Sequence, residues 1–245
     1  MKILVCVTHV PDTTSKISFT ENDTLFNSAN VQYIIGPYDE YALSRAIELK
    51  ETFGGTVTVI NVGTAETEST LRKALALGAD DAIRVNSLAL DSSFVASEIA
   101  KHAKGQNYDL IMMGRESIDY NGGVVHSLVA EILDMECVSP VTKLDLNGNI
   151  ATLHKEIEGG NQVLEAELPL VLGCQEPIAE WKIPNMRGIM SSKSKPLVVI
   201  EPTSQSAMVT VINYQTPPAK SGCKMIDASE PEKLIELLRS EAKVL

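Results

Sequence analysis

No stretch of the 245-residue chain approaches the ~18 uninterrupted apolar residues of a membrane helix, so membrane insertion is not expected. A secretory leader is not expected either. Residues 1–10 hold one lysine and a short apolar run, without the basic start, long apolar stretch and small-residue cleavage site that such a signal needs. Basic charge is scarce: 21 Lys and Arg stand against 32 Asp and Glu, a net charge of −11, and no whole-protein basic footprint for nucleic acid exists. The four cysteines, Cys6, Cys137, Cys174 and Cys223, include no Cys-x-x-Cys pair. That spacing disfavours structural zinc and a disulfide framework and reads as four free thiols in a reducing cytoplasm. There is no Gly-x-Ser-x-Gly elbow and no histidine–carboxylate cluster with metal spacing. A hydrolase is therefore not expected.

What is present suits one sizeable core, since 44% of the residues are hydrophobic. Residues 3–7 form a continuous apolar run, as a strand buried on both faces does. Asp39 and Glu40 follow Pro37 and suit a helix start; Leu43, Ala46, Ile47 and Lys50 repeat at helical spacing, and Gly54-Gly55 ends that helix. Residues 57–62 read as a second buried strand, and Leu71, Ala74, Leu75 and Gly78 close a second helix. A short strand at 82–85, a helical stripe of Phe94, Val95, Ile99 and Ala103, a strand at 110–113 and a helix at 124–133 continue the rhythm. Such alternation predicts an α/β fold, a doubly wound parallel sheet with helices on both faces.

Beyond residue 133 the pattern changes. Asn147-Gly148 is a hairpin signal, residues 152–157 and 162–168 are candidate strands, and Gly159-Gly160 marks a further turn, which together predict an antiparallel extension. Residues 197–200 are a last apolar run. Residues 201–222 are rich in Pro, Ser and Thr and lack a core of their own. Ser229-Glu230-Pro231-Glu232 has the form of a capping box ahead of an amphipathic helix carrying Leu234, Ile235, Leu237 and Leu238. The expected division is a nucleotide-binding domain over residues 1–200 and an extended arm with a terminal helix over 201–245.

Ligands of open parallel sheets bind at the carboxyl ends of strands, where strand order reverses. Three loops qualify: residues 8–13 (Thr8, His9, Val10, Pro11, Asp12, Thr13), Gly63-Thr64, and residues 114–123. The third holds three glycines, two acids and an arginine ahead of a helix. Glycines let backbone N–H groups approach a phosphate, and a helix N-terminus favours anions. The loop is neither a Gly-Lys-Ser/Thr phosphate loop nor Gly-x-Gly-x-x-Gly, so spacing alone leaves an ordinary glycine-rich turn as the alternative.

Several motifs in collinear order resemble those of electron transfer flavoprotein beta subunits: Val10-Pro11-Asp12, Pro37-Tyr38-Asp39-Glu40, the run from Thr70 to Asp80, Gly114-Arg115-Glu116-Ser117-Ile118-Asp119, Glu156-Ile157-Glu158-Gly159-Gly160, Leu168-Pro169, and Ile183-Pro184-Asn185 followed by Ile189-Met190. They span roughly residues 2–196. The resemblance implies a Rossmann-like sheet of the adenine-nucleotide alpha-hydrolase kind. It implies an AMP held in this subunit, and an FAD held mostly by an alpha subunit in a heterodimer. It also implies electron transfer from flavin dehydrogenases, such as those for acyl-CoA in fatty acid oxidation, towards a quinone oxidoreductase and the respiratory chain. Carried over by motif, the nucleotide site comprises Cys6, Gly36, Pro37, Tyr38, Asp39, Val62, Gly114, Arg115, Glu116, Ser117, Ile118, Asp119, Tyr120, Asn121, Gly122, Gly123, Val124 and Val125, with Thr13 and Tyr38 near the flavin. The loop around Ile183, flanked by Lys182, Arg187, Lys193 and Lys195, would dock the dehydrogenase through an apolar anchor.

Two departures bear on the nucleotide. Gly36 stands where the family usually has asparagine. Gly123-Val124-Val125-His126 replaces the Asn-Gln-Thr-Gly with which AMP-binding members begin the next helix, leaving backbone N–H groups as the donors. His126 either donates to phosphate or caps a turn; His9, His102 and His154 read as surface residues; Glu116 and Asp119 as solvent-facing or backbone-capping; Arg72-Lys73 as a solvated helix face. The alternatives are an electron-bifurcating variant with FAD in the AMP position, a stand-alone adenine-nucleotide-binding protein, and a nucleotide-using ligase or hydrolase.

Overall fold

A computed structural model describes residues 1–203, 206–220 and 222–245. Positions 204, 205 and 221 of the Pro/Ser/Thr-rich segment lie outside the described residues. The elements, in chain order, are β1 (Lys2–Cys6), β2 (His9–Pro11), β3 (Phe19–Thr20), β4 (Leu25–Phe26), β5 (Tyr33–Ile35), α1 (Pro37–Phe53), β6 (Thr56–Gly63), α2 (Glu68–Leu77), β7 (Asp81–Asn86), α3 (Ser92–Ala103), β8 (Leu110–Gly114), α4 (Val125–Leu133), β9 (Glu136–Asn147), β10 (Ile150–Ile157), β11 (Gly160–Glu167), β12 (Leu170–Cys174), α5 (Met186–Ser192), β13 (Leu197–Ile200) and α6 (Pro231–Ser240).

One nine-stranded sheet runs β11-β10-β9-β12-β8-β1-β6-β7-β13. The seven strands from β9 to β13 across its centre are mutually parallel, and β10 and β11 add antiparallel to one end. Alternate residues of the central strands enter two cores. Ile3, Val5, Val57, Val59, Leu110 and Met112 pack with Leu43, Ala46 and Ile47 of α1 and Leu71 and Leu75 of α2. Leu4, Cys6, Ile60, Val62, Ile111 and Met113 pack with Phe94 and Ile99 of α3 and Val129 of α4 on the opposite face. Burial on both faces explains why these strands read as unbroken apolar runs. Glycine ends α1, because Gly54 holds φ 73° while its N–H bonds back to the Lys50 carbonyl. The fold is the doubly wound α/β sheet that the alternation predicts.

Several local features depart from the sequence reading. The central strand β12 was not anticipated. The hairpins turn on Gly148-Asn149 and Glu158-Gly159, one residue off the first signal, as the Ile150–Asn147 and Ile157–Gly160 pairs show. Residues 186–192 are helical rather than loop: Asn185 caps α5 by accepting from the Gly188 N–H at 2.8 Å. The capping box does not form. Ser229 donates both N–H and Oγ–H to Asp227 Oδ1, 2.9 and 2.6 Å away, and α6 starts at Pro231 with no side-chain cap. A tight aspartate turn has captured the hydroxyl the cap would need.

The chain separates into two compact units. The first comprises residues 1–16 and 27–212, including the whole nine-stranded sheet. The second comprises residues 17–26 and 213–245. In it the β3–β4 hairpin meets the C-terminal segment: Phe19 stacks on Tyr214 at 4.7 Å, and the Asp23 carbonyl accepts from the Tyr214 N–H at 2.7 Å. No residue of α6 is buried within this unit, and Leu234 and Ile235 are exposed.

Candidate functional site

Strand order reverses between β8 and β1: the chain proceeds from β1 to β6 and β7 on one side and from β8 to β12 on the other. Carboxyl ends of parallel strands splay apart at such a reversal and leave a crevice. A cavity of about 610 Å³ lies there, within the size range of nucleotide and cofactor sites. Its floor is the strand ends Cys6, Val62, Gly63, Met113 and Gly114, with Thr8 and His9 beside them. The loop after β8 supplies Glu116, Ser117, Asp119, Tyr120 and Gly122, and the open start of α4 supplies Val124, Val125 and His126. Val124 at the α4 cap position makes no side-chain bond to the helix, so backbone N–H groups are the donors there.

Asp39 ties this floor together. It stands in the first turn of α1 and is 3% exposed. Oδ2 accepts from the Thr8 N–H at 2.8 Å and the Thr8 hydroxyl at 2.6 Å, and Oδ1 accepts from the Gly114 N–H at 2.7 Å. One carboxylate thus joins the ends of β1 and β8 to α1. Burial raises its pKa to about 6 despite those hydrogen bonds, which favour the ionised form. Burial, with Asp39 close by, also pushes the Cys6 thiol up, so this thiol is protonated and inert at neutral pH.

Of the residues carried over by motif, Cys6, Asp39, Val62, Gly114, Glu116, Ser117, Asp119, Tyr120, Gly122, Val124 and Val125 line the cavity. Gly36, Pro37, Tyr38, Arg115, Ile118, Asn121, Gly123 and Thr13 do not. Gly36 lies behind the floor, where a methyl group would fall 2.3 Å from Thr8 Oγ1. The Arg115 N–H extends the ladder to the Cys174 carbonyl at 2.9 Å, which turns its side chain away. Its guanidinium stands 5.2 Å from the Tyr38 ring centroid and donates to Gln175 Oε1 at 2.9 Å. Thr13 is exposed in the loop after β2.

The histidines correct the sequence reading. His126 is 7% exposed, with Nε2 3.2 Å from the Arg115 carbonyl and Nδ1 2.9 Å from Ser127 Oγ. Desolvation lowers its pKa, and its two ring nitrogens meet the loop that precedes α4 and the first turn of that helix, the turn-capping role of the two the sequence offered. His9 stacks on Tyr33 at 4.3 Å and bonds Thr70, and His102 packs against Tyr108, so neither is a plain surface residue. Burial lowers the pKa of both.

Sequence reasoning missed several parts of the lining; those that matter most are Asn61, residues 88–93, and Val209 with Val211. The second had a signal, because Asp91-Ser92-Ser93 precedes a helical stripe and Asp91 caps α3 by accepting from the Phe94 N–H at 2.7 Å. The third had none, since nothing local in an extended segment shows what it lies against.

A second surface lies on α2. Arg72 donates to the Ser192 and Lys195 carbonyls, both at 2.7 Å, and Lys195 Nζ donates to the Leu75 and Ala79 carbonyls at 2.9 and 2.6 Å. Lys73 and the Trp181 indole N–H both bond the Glu40 carboxylate. Arg72-Lys73 is therefore a clamp on residues 181–195 rather than a solvated face. Lys195 is a structural donor whose pKa is lowered by desolvation. What the clamp presents outward is an apolar group with cations beside it: Ile183 is 74% exposed, Met186 and Met190 nearly as much, and Arg187 and Lys193 are exposed too.

Among the described residues no metal-binding group of His, Cys, Asp and Glu occurs, and no helix is long and apolar enough to cross a membrane. Residues 23–205 match the electron transfer flavoprotein domain. The chain is 35% identical over 260 residues to the electron transfer flavoprotein subunit beta of Bacillus subtilis, covering all of both chains. It is 36% identical over 251 residues to the subunit of the same name from Syntrophomonas wolfei, covering all of this chain and 98% of that one. It is also 30% identical over 259 residues to the acryloyl-CoA reductase electron transfer subunit gamma of Anaerotignum propionicum, covering 97% of each.

Proposed function

Because the chain belongs to the electron transfer flavoprotein family as a beta subunit, we propose that its strand-end cavity holds AMP. In this reading it completes, with an alpha subunit, a carrier that passes electrons through FAD from flavin dehydrogenases, among them acyl-CoA dehydrogenases, towards a quinone oxidoreductase. The observation that carries the nucleotide is the cavity itself, placed where strand order reverses and walled by a glycine-bearing loop and the uncapped start of α4. An adenine ring would lie among apolar side chains such as Val62 and Val125. The phosphate would meet the backbone N–H groups at the start of α4. FAD, when bound, supplies the redox chemistry, and this chain binds, orients and shields.

Denaturing the purified heterodimer should release AMP, one per complex, beside one FAD. Finding no adenine nucleotide in folded material would remove the reading. Gly122→Asp is the sharper probe: Gly122 lines the cavity, and a Cβ there stands 3.6 Å from Ser92 Oγ, so the side chain has room. Its carboxylate would face the phosphate, and the nucleotide affinity measured by calorimetry should fall by about tenfold or more. An unchanged affinity would place the phosphate elsewhere.

A second reading is FAD in this cavity, as an electron-bifurcating carrier would have. The exposed apolar rim of Leu88, Tyr120 and Val124 favours it, because a longer ligand would cover that rim and AMP would leave it bare. Two FAD per heterodimer and no AMP would select it.

The surface on α2 is the proposed dehydrogenase dock. Ile183 stands beside Pro184 and makes a rigid apolar anchor, and burying such a side chain contributes about 1.5–3 kcal/mol. Ile183→Ala should raise the dehydrogenase concentration needed for half-maximal flavin reduction about tenfold, with flavin content unchanged. An unaltered concentration dependence would reduce Ile183 to a surface residue.

A further inference from the structure

One wall of the cavity comes from neither a strand end nor a helix start. Beyond β13, residues 206–212 run without helix or strand, and Val209 and Val211 from this run line the cavity. Met208, Val209 and Ile212 are 82%, 66% and 85% exposed, so little apolar packing holds the run down. What fixes it is one carboxylate. Asp91 Oδ2 accepts from the Met208 N–H at 2.5 Å and the Val209 N–H at 2.9 Å, while Oδ1 caps α3 through Phe94. Further back, Thr203 is tied to Glu98 through its N–H at 2.9 Å and its hydroxyl at 2.8 Å. The near end is thus anchored, and among the described residues the part over the cavity is held by the Asp91 latch.

We propose that residues 206–212 are a strap closed over the nucleotide cavity and latched by Asp91, and that the latch sets how fast the nucleotide leaves. The proposal rests on the reading of the cavity as a nucleotide site. The geometry suits a gate for three reasons. Among the described residues the strap has no ladder of backbone hydrogen bonds to break. Its two valines add apolar surface on the cavity side. Its latch residue begins the helix whose Ser92 and Ser93 also line the cavity, so strap and wall share one carboxylate. Opening the latch would admit water and let the ligand out without disturbing the sheet.

Asp91→Asn separates the two roles of the residue. Asparagine caps helices as well as aspartate, so its carbonyl oxygen keeps the Phe94 bond. Its NH₂ cannot accept from Met208 and Val209. Charge-assisted bonds of this kind are strong enough that release should accelerate by about tenfold or more. The experiment loads the heterodimer with labelled AMP, chases with excess unlabelled AMP and follows release from wild type, Asp91→Asn and Val211→Ala. Faster release from Asp91→Asn, with the thermal midpoint kept, supports the strap. Release at the wild-type rate from a fully loaded Asp91→Asn complex overturns the strap and leaves the nucleotide reading standing. Should Asp91→Asn not assemble, Val211→Ala decides: severalfold faster release supports the strap, and an unchanged rate overturns it. A wild-type complex that neither contains nor takes up AMP overturns the nucleotide reading, and the strap with it.

Discussion

Asp39→Ala will destabilise the first unit by about 3 kcal/mol and lower its thermal midpoint by about 6–12 °C. The carboxylate takes three donors, the Thr8 N–H, the Thr8 hydroxyl and the Gly114 N–H, all within 2.8 Å. Alanine leaves all three facing a gap at the switch point of the sheet. A buried donor without a partner costs about 1–3 kcal/mol. Removing a buried charge relieves part of that sum, because desolvation is what raises the Asp39 pKa to about 6. The same shift gives the prediction a sign in pH. The folded pKa lies above the ordinary 3.8, so the native state holds the proton more tightly than the unfolded chain. Stability from this group is therefore fully present below about pH 4 and is lost as pH rises through about 6. The wild type carries that slope and the variant does not. Urea unfolding at several pH values should thus show the gap between them widening from pH 7 to pH 5. A gap that narrows on acidification would mean the hydrogen bonds outweigh burial and the pKa is depressed.

Gly188→Ala will lift α5 from α2 and, if residues 181–195 are the dehydrogenase dock proposed above, slow electron delivery through them by about tenfold or more. A Cβ at this position would sit 2.2 Å from the Ala76 carbonyl oxygen, which belongs to the backbone of α2 and cannot rotate aside. Forcing a methyl into a closed contact costs about 1–3 kcal/mol. The strain should be relieved by moving the seven-residue α5, not the ten-residue α2 built into the core. Arg72 and Lys195 would then lose carbonyl partners, and Ile189 and Met190 would leave the outward apolar surface. Hydrogen exchange should rise in residues 181–195 and stay unchanged in β1, β6 and β8, with any bound nucleotide and flavin at wild-type levels. Protection of residues 181–195 equal to the wild type would show that the close approach can be accommodated.

The parts of the fold legible in the sequence are those whose signal is local. β1, β6 and β8 are apolar runs because each has a helix layer on both faces, and α1 to α4 repeat at 3.6 residues with glycine or a polar residue at their ends. β12 was illegible for the opposite reason. Five residues between Pro169 and Gln175 say nothing of β8 and β9, whose paired residues lie 33 or more positions away. α5 was hidden because Gly188, Ser191 and Ser192 are poor helix formers, and the helix exists through the Asn185 cap and the clamp on α2. At the candidate site the glycine-bearing loop stood out, whereas its arginine pointed elsewhere for a reason visible only in three dimensions: the Gln175 amide beside it. The strap valines carry no periodicity at all, and only the tertiary bonds from Asp91 reveal them.

The two ends of the nine-stranded sheet have a consequence for the isolated chain. β11 pairs on one side only, along eight residues, and β13 on one side only, along four. Such open rims are templates on which copies of a protein can add to one another and grow into fibres. Here each rim is spoiled differently. On β11 the exposed carboxylates of Glu165 and Glu167 would set like charges against each other in any rim-to-rim pairing of identical chains. β13 is too short to nucleate a ribbon, and Pro196 and Pro202, close beyond its two ends, deny a growing strand two backbone donors. Copies of this chain are thereby hindered from adding to one another along either rim.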